Sequence, residues 1–422
     1  MKIQGLNKKA TIFVLGSLLS KFMAGLLQIY AMYVITKMHS EEGAALVFLL
    51  SGYAIWFQLS ELGLSQTLQN KFNAREICVE GITKVMVAHY ILLILVGVII
   101  VVTPYLSDIL LPSSRKKIEP LAFSTGAAIL ILAGSNVLVQ RFLLIVNKGG
   151  LGNLLTLLQS CLAIGALFLY QIFEVRNILV AVIAYFGTQI LVFPSILISL
   201  FLRYRTKKSY KKNVNLIKIL CGSLGFFGAG FLSTIFLGLD YFFVAYYLGD
   251  KEVIAYYYIT RFFFISFVMY YAYLTYKVRH FSSCALNYNP IVIKSIVQDS
   301  IIVGIFSVVL AFLIGLTFDW YGLSKVLINQ DKVDLDLFFC GFLYFAIRVL
   351  RDVVVIVIAA LNNKKILYQI YFIEILTSLI LMPLFVPKLG GKGVFLAMML
   401  SCFLALVFLR IRFNLHKFIF RA

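Results

Sequence analysis

Arg348, Arg351 and Asp352 stand at i, i+3 and i+4 in a stretch apolar enough to form a helix inside lipid, so their side chains share one helix face. Each ionised group costs several kcal/mol in hydrocarbon, so that face must look at protein or water. The spacing lets Arg348 and Asp352 neutralise each other, which leaves Arg351 as the free cation. A guanidinium stays charged and holds phosphate through two parallel hydrogen bonds, chemistry suited to a diphosphate headgroup. Seven further charges fall within apolar stretches: Lys21, Arg141, Arg261, Glu61, Asp240, Asp299 and Glu374. Depth sorts them. Arg141 and Asp299 lie near helix ends and read as interfacial anchors or local pairs. Lys21, Arg261, Arg348 and Arg351 fall near mid-membrane, where a long stem does not easily reach water. They are the candidate substrate-binding residues of a polar cavity, with a structural ion pair as the competing reading. Glu61, Asp240, Asp352 and Glu374 are the candidates for coupling or gating. For each acid, a partnership with Lys or Arg is at least as common a role.

No catalytic constellation stands beside these charges. The chain has no phosphate-binding glycine loop, nucleophile elbow or metal-ligand spacing, so no enzyme, cofactor or metal is expected. Its six cysteines are single and scattered, which argues against disulfides. His39, His89, His280 and His416 are dispersed and read as interfacial or packing residues. The aromatic runs Tyr256-Tyr257-Tyr258, Phe262-Phe263-Phe264 and Tyr270-Tyr271 with Tyr273 read mostly as lipid-facing or interfacial belts, a minority stacking on sugar rings.

The elements that position these residues follow from composition. Over 422 residues the chain is 62% hydrophobic and 13% charged, with a mean hydropathy of +0.96. That leaves too little polar surface to cover a soluble globule, so the solvent is lipid. Apolar runs of about twenty residues, each matching a ~30 Å hydrocarbon core, recur along the whole length. They place about twelve spans near 10–36, 43–70, 83–105, 120–146, 151–173, 177–202, 215–248, 251–278, 291–316, 335–361, 365–386 and 391–412. Pro194 and Pro383 fall inside spans and are expected to kink them. The first run lacks a small-x-small cleavage site and continues past Lys21, so it reads as a span and not a secretory leader.

Lys and Arg accumulate on one side of these spans, about 23 against about ten, including the cluster Arg203, Arg205, Lys207, Lys208, Lys211, Lys212 and Lys218. By the positive-inside rule both termini are cytoplasmic. The opposite side holds Glu41, Glu42, Asp331, Asp334 and Asp336. This asymmetry, with attraction to anionic lipid headgroups, accounts for most of the net charge of +20 and leaves no case for nucleic acid. The span spacing also repeats at an offset of roughly 205–215 residues. Gly16-Ser17-Leu18 with Ala24-Gly25 recurs as Gly222-Ser223-Leu224 with Ala229-Gly230, and the run from Glu42 to Tyr53 recurs from Glu252 to Phe263. The expected organisation is an all-α membrane protein of two six-helix lobes, residues 1–205 and 219–422, joined by a basic cytoplasmic linker at 206–218. Such lobes normally enclose a central cavity and rock against each other, and Lys21, Arg261, Arg348 and Arg351 are expected to converge on it.

Three short patterns carry a family resemblance: His39-Ser40-Glu41-Glu42-Gly43, Glu61-Leu62-Gly63-Leu64, and Pro387-Lys388-Leu389-Gly390-Gly391-Lys392-Gly393-Val394 with Ala397. With the two-half layout they make the chain resemble the polysaccharide-biosynthesis and O-antigen (Wzx-type) flippases. These are relatives of the multidrug and toxin extrusion (MATE) exporters in the multidrug/oligosaccharidyl-lipid/polysaccharide exporter superfamily. Glu61 stands where the family more usually has Asp, and Leu248-Gly249-Asp250 departs from the full second-half turn. The resemblance implies a multi-pass protein of a bacterial inner membrane that moves an undecaprenyl-diphosphate-linked oligosaccharide from the cytoplasmic to the periplasmic leaflet. Implied partners are that substrate, membrane lipids, and an O-antigen polymerase with its chain-length regulator. Three rivals stand beside it. A cation-coupled multidrug exporter of the same fold prefers an acidic, aromatic cavity, and a polymerase needs a long periplasmic loop. A non-transport scaffold gains nothing from buried charge.

Overall fold

The computed structural model describes residues 8–57, 64–73, 76–103, 120–146, 148–192, 194, 196, 216–286, 290–328, 334–360 and 364–413. Within them the chain is helical, with no strand, as a lipid-embedded backbone requires when it must satisfy its own hydrogen bonds. The helices are α1 Lys8–Met38, α2 Glu41–Phe57, α3 Leu64–Asn73, α4 Val79–Val102, α5 Pro120–Ala133, α6 Ser135–Ile145, α7 Gly149–Ile172 and α8 Ile178–Phe186. They continue as α9 Leu216–Tyr247, α10 Asp250–Leu286, α11 Pro290–Trp320, α12 Leu323–Ile328, α13 Leu335–Ala360, α14 Lys364–Leu389 and α15 Gly391–Phe413. Each of the twelve expected spans falls on one or two of them. Span two corresponds to α2 and α3, and span four divides into α5 and α6 around a turn at Gly134. Six of these helices, and α5 with α6 taken together, are long and apolar enough to cross a membrane, and Ile178–Val192 and Phe231–Tyr247 are shorter apolar stretches. Helix α13 has the length as well, but Arg348, Arg351 and Asp352 bar one of its faces from lipid.

The chain forms two compact units, Met1–Thr234 and Ile235–Ala422, with the division inside α9. Residues 206–215 of the expected linker lie outside the described residues, and 216–218 open α9. In the first unit α1 packs along α7, and α5 packs on α2, α4 and α8. In the second, α10 packs on α11 and α13, while α15 packs on α13 and α14.

The turns between α1 and α2 and between α9 and α10 carry matched hydrogen bonds. At the α1–α2 turn, His39 N–H donates to the Ile35 carbonyl (3.0 Å) and Ala44 N–H to that of Ser40 (3.0 Å). At the α9–α10 turn, Leu248 N–H donates to Val244 (3.1 Å) and Val253 N–H to Gly249 (3.0 Å). All four positions shift by 209 residues. Glu41 thus corresponds to Asp250, one residue out of step with the sequence match of Glu42 to Glu252. Acids in the first turn of both α2 and α10 suit the positive end of the helix dipole.

The Pro-x-x-Gly-x-x-Gly pattern forms the reversal from α14 to α15. Gly390 takes φ +59°, a left-handed conformation that costs an L side chain about 1–2 kcal/mol. A Cβ on Gly393 would lie 2.5 Å from the Phe385 carbonyl oxygen. Pro383 and Pro387 both lie within α14. The reversal is tied to the start of α13 by Lys392, whose Nζ lies 2.6 Å from Asp334 and 3.1 Å from Asp336.

The aromatic runs correct the sequence expectation. Tyr256, Tyr257, Tyr258, Phe262, Phe263 and Tyr270 are buried in the second unit and do not form a lipid-facing belt. Helix α10 is covered by its neighbours, and the hydroxyls of Tyr256 and Tyr270, which would be stranded in lipid, find internal partners. Tyr256 Oη donates to Asp240 Oδ2 (2.8 Å), and Tyr270 Oη to the Val349 carbonyl (3.3 Å). The exposed stripe of α14 is aliphatic and phenyl, formed by Phe372, Leu376, Leu379, Ile380 and Leu384.

Candidate functional site

Six of the charges singled out in the sequence occur in the second unit as one buried group: Asp240 on α9, Arg261 on α10, Arg348, Arg351 and Asp352 on α13, and Glu374 on α14. All are less than a tenth exposed, and Glu374 is fully covered. Burial of six charges together is tolerable only because they satisfy one another.

Arg351 forms the centre. Its Nε donates to Glu374 Oε1 at 2.6 Å and its Nη2 to Oε2, a bidentate fork, while Nη1 donates to Asp352 Oδ1 at 2.8 Å. The rings of Phe236 and Tyr371 lie 5.4 and 5.0 Å from its guanidinium carbon. Arg348 sits one turn earlier, with Nε 3.6 Å from Asp352 Oδ2 and Nη1 donating to Tyr344 Oη at 3.2 Å. Phe267, Tyr344 and Phe345 surround its guanidinium at 5.3 to 5.9 Å. Arg261 lies over the Tyr257 ring at 4.3 Å.

Asp240 is the acid that α9 contributes to the group. It accepts from Tyr256 Oη and from the Tyr241 backbone N–H, both at 2.8 Å, and it interacts electrostatically with Arg348 and Arg261. Tyr241 Oη pairs with Thr260 Oγ1 at 3.3 Å. Three guanidinium groups thus face three carboxylates in a shell of tyrosine and phenylalanine, and the group as a whole is balanced in charge.

Arg351 is not the free cation expected from the sequence. Spacing along α13 reveals the i, i+4 relation of Arg348 to Asp352, and that contact is present. It does not reveal Glu374, 23 residues away on another helix, which takes two of the three guanidinium nitrogens. Sequence reasoning also missed Tyr344, Tyr371 and Phe236, and named Tyr256 only within an aromatic run read mostly as a belt. Tyr344 had a legible signal, four residues before Arg348, whereas Phe236 and Tyr371 had none because their contacts come from tertiary packing.

Lys21 lies on α1 in the first unit, partly covered and engaged. Glu61 lies outside the described residues. Arg141 on α6 and Asp299 on α11 are half-buried. Among the described residues no cluster of His, Cys, Asp and Glu has the geometry to hold a metal ion. In the first unit His39 Nε2 is hydrogen-bonded to Tyr170 Oη, and the rings stack at 5.9 Å, joining the α1–α2 turn to the end of α7.

No family model matches the chain. It is 23% identical over 403 residues to a protein of Salmonella typhi described as "Putative O-antigen transporter", with 92% of each chain covered. Among solved structures, the lipid II flippase MurJ in an inward closed conformation matches with a TM-score of 0.71 at 16% identity, over 96% of this chain and 87% of that one. A MOP superfamily transporter from Pyrococcus furiosus matches with a TM-score of 0.68 at 15% identity, over 97% and 96%. An inward-facing multidrug resistance MATE family transporter matches with a TM-score of 0.64 at 15% identity, over 93% and 95%. The chain therefore has the all-helical fold of the MATE and MurJ transporters, with about twelve helices.

Proposed function

We propose that this protein is a flippase that moves an undecaprenyl-diphosphate-linked oligosaccharide, of the O-antigen repeat-unit kind, from the cytoplasmic to the periplasmic leaflet of a bacterial inner membrane. The observation that carries this reading is the group of three buried arginines in an apolar, lipid-embedded unit. Such groups are costly in a membrane and mark substrate or ion pathways. The similarity to an O-antigen transporter and the fold shared with a lipid II flippase support it.

In this reading Lys21, Arg261, Arg348 and Arg351 bind the diphosphate, the guanidinium forks supplying paired donors to phosphate oxygens. Asp240, Asp352, Glu374 and Glu61 balance those cations and serve in coupling or gating. The sugars cross through the polar interior while the polyprenyl tail stays in lipid. Two six-helix lobes, residues 1–205 and 219–422, alternate access about the basic linker, with both termini cytoplasmic. An O-antigen polymerase and its chain-length regulator take up the product.

One observation favours a second reading. The carboxylates Asp240, Asp352 and Glu374 and the rings of Tyr256, Tyr371 and Phe236, groups that suit an organic cation, stand within the charge-balanced cluster, and the chain shares its fold with multidrug transporters.

Leaflet sidedness of lipid-linked oligosaccharide in cells lacking the protein separates the readings. Under the flippase reading the load accumulates on the cytoplasmic face, wild type relieves this, and Arg351→Ala relieves it poorly. Normal translocation without the protein would sink the flippase. Drug sensitivity in its place would point to the exporter.

A further inference from the structure

The fork that Arg351 would offer to a diphosphate is already filled. Both oxygens of Glu374 occupy it, through Nε at 2.6 Å and through Nη2, and Asp352 takes Nη1 at 2.8 Å. Aromatic rings of Phe236 and Tyr371 lie against the guanidinium at 5.4 and 5.0 Å. Each guanidinium nitrogen of Arg351 already serves a carboxylate and its Nε–Nη2 fork is filled, so an incoming anion gains that two-bond grip only by replacing Glu374.

The two carboxylates are not equally replaceable. Asp352 is the next residue on the same helix and also faces Arg348 at 3.6 Å, so movement of α13 carries it along with both arginines. Glu374 sits on α14, which packs mainly on α15 and only lightly on α13. A shift of α14 relative to α13 withdraws Glu374 from Arg351 and leaves the Arg348–Asp352–Arg351 face intact. Ser378, one turn after Glu374, donates to Ser401 of α15 at 2.8 Å, and α15 also packs on α13.

Resting on the flippase reading, we propose that Glu374 is the tethered occupant of the phosphate site, and that substrate enters by exchanging its diphosphate for this carboxylate. Geometry makes the exchange equivalent, since carboxylate and phosphate oxygens engage the same two parallel N–H groups. It also solves a problem of transport: a fully buried, unopposed arginine would hold a diphosphate too tightly to release it, whereas a competing carboxylate of fixed local concentration weakens the grip. Glu374 is a positioning and competing residue, and Arg351 makes the contact.

The test uses full-length protein in lipid nanodiscs, titrated with undecaprenyl diphosphate, alongside translocation of a lipid-linked oligosaccharide by the same variants in proteoliposomes. Glu374→Gln keeps the shape and removes the competing charge. It is expected to tighten binding by about tenfold or more, the scale of one charge-assisted hydrogen bond, and to slow translocation at saturating substrate. A merely structural role would weaken binding and translocation together, and that result overturns the proposal. If Glu374→Gln does not fold, Glu374→Asp retains the charge on a shorter stem that cannot complete the fork. It is expected to tighten binding to a smaller degree, and unchanged or weaker binding by it overturns the proposal equally. Wild-type protein that binds no undecaprenyl diphosphate would overturn the flippase reading itself, and the exchange with it.

Discussion

At the residue scale, the energetics of Arg351 separate stability from function. Removing one partner of a buried ion pair strands the other and costs about 3–5 kcal/mol, whereas replacing both with apolar groups is often neutral or stabilising. Arg351→Ala is therefore expected to lower thermal stability in detergent strongly. The double variant Arg351→Met with Glu374→Leu is expected to recover most of that stability while translocation stays lost. Recovery of both together would mean that the pair is scaffolding. His39 offers a second test. Partial burial holds its imidazole below the ordinary histidine value. The unfolded chain then binds the proton more readily, so His39 detracts from stability as pH falls from about 6.5 through the lower folded value. Wild-type thermal stability should drop between pH 7 and pH 5 more steeply than that of His39→Gln, and parallel slopes would remove His39 from the account. The ten charges within apolar stretches stood out in the sequence because charge in an apolar run is rare, and six of them are buried together in the second unit. Their pairing was legible only along a single helix. Arg348 and Asp352 are an i, i+4 pair, but nothing in the text around Glu374 points to Arg351.

At the element scale, most helix positions were readable to within a few residues, but spans two and four each divide into two helices and α10 runs on to Leu286, past the expected end at 278. The ends of α14 and α15 show why local text suffices there. Gly390 needs a positive φ, and Gly393 leaves no room for a Cβ beside Phe385, so the glycine pattern and the reversal are one fact. Gly393→Ala is expected to destabilise the protein more than Gly150→Ala, where a Cβ meets nothing within 4 Å. Equal unfolding temperatures for the two variants would show that the reversal relaxes freely. Helix faces were less readable. On α14, Ile370, Glu374, Ser378 and Met382 turn inward while Phe372, Leu376, Leu379, Ile380 and Leu384 turn outward. Both stripes are largely apolar, so hydropathy cannot tell them apart, and only Glu374 and Ser378 mark the inner one. The same blindness put the buried tyrosines of α10 at the lipid surface, since tyrosine suits both a membrane interface and a core that supplies acceptors such as Asp240.

At the scale of the whole molecule, the α1–α2 and α9–α10 turns match at an offset of 209 residues, but the two units differ in chemistry. The second unit holds the balanced cluster of arginines and acids. In the first, His39 and Tyr170 make a neutral contact at a helix end, and Lys21 is the candidate mid-membrane cation on α1. If the protein is a flippase, the second unit does most of the work of gripping the headgroup. The most direct measurement is translocation in proteoliposomes, with undecaprenyl-diphosphate oligosaccharide in one leaflet and a lectin or glycosidase reporting its arrival in the other. Wild type is predicted to move the lipid, and Arg348→Ala and Arg351→Ala, matched for reconstitution, to move it at least tenfold more slowly. Equal rates for all three proteins, or no rate above protein-free vesicles for wild type, would contradict the account.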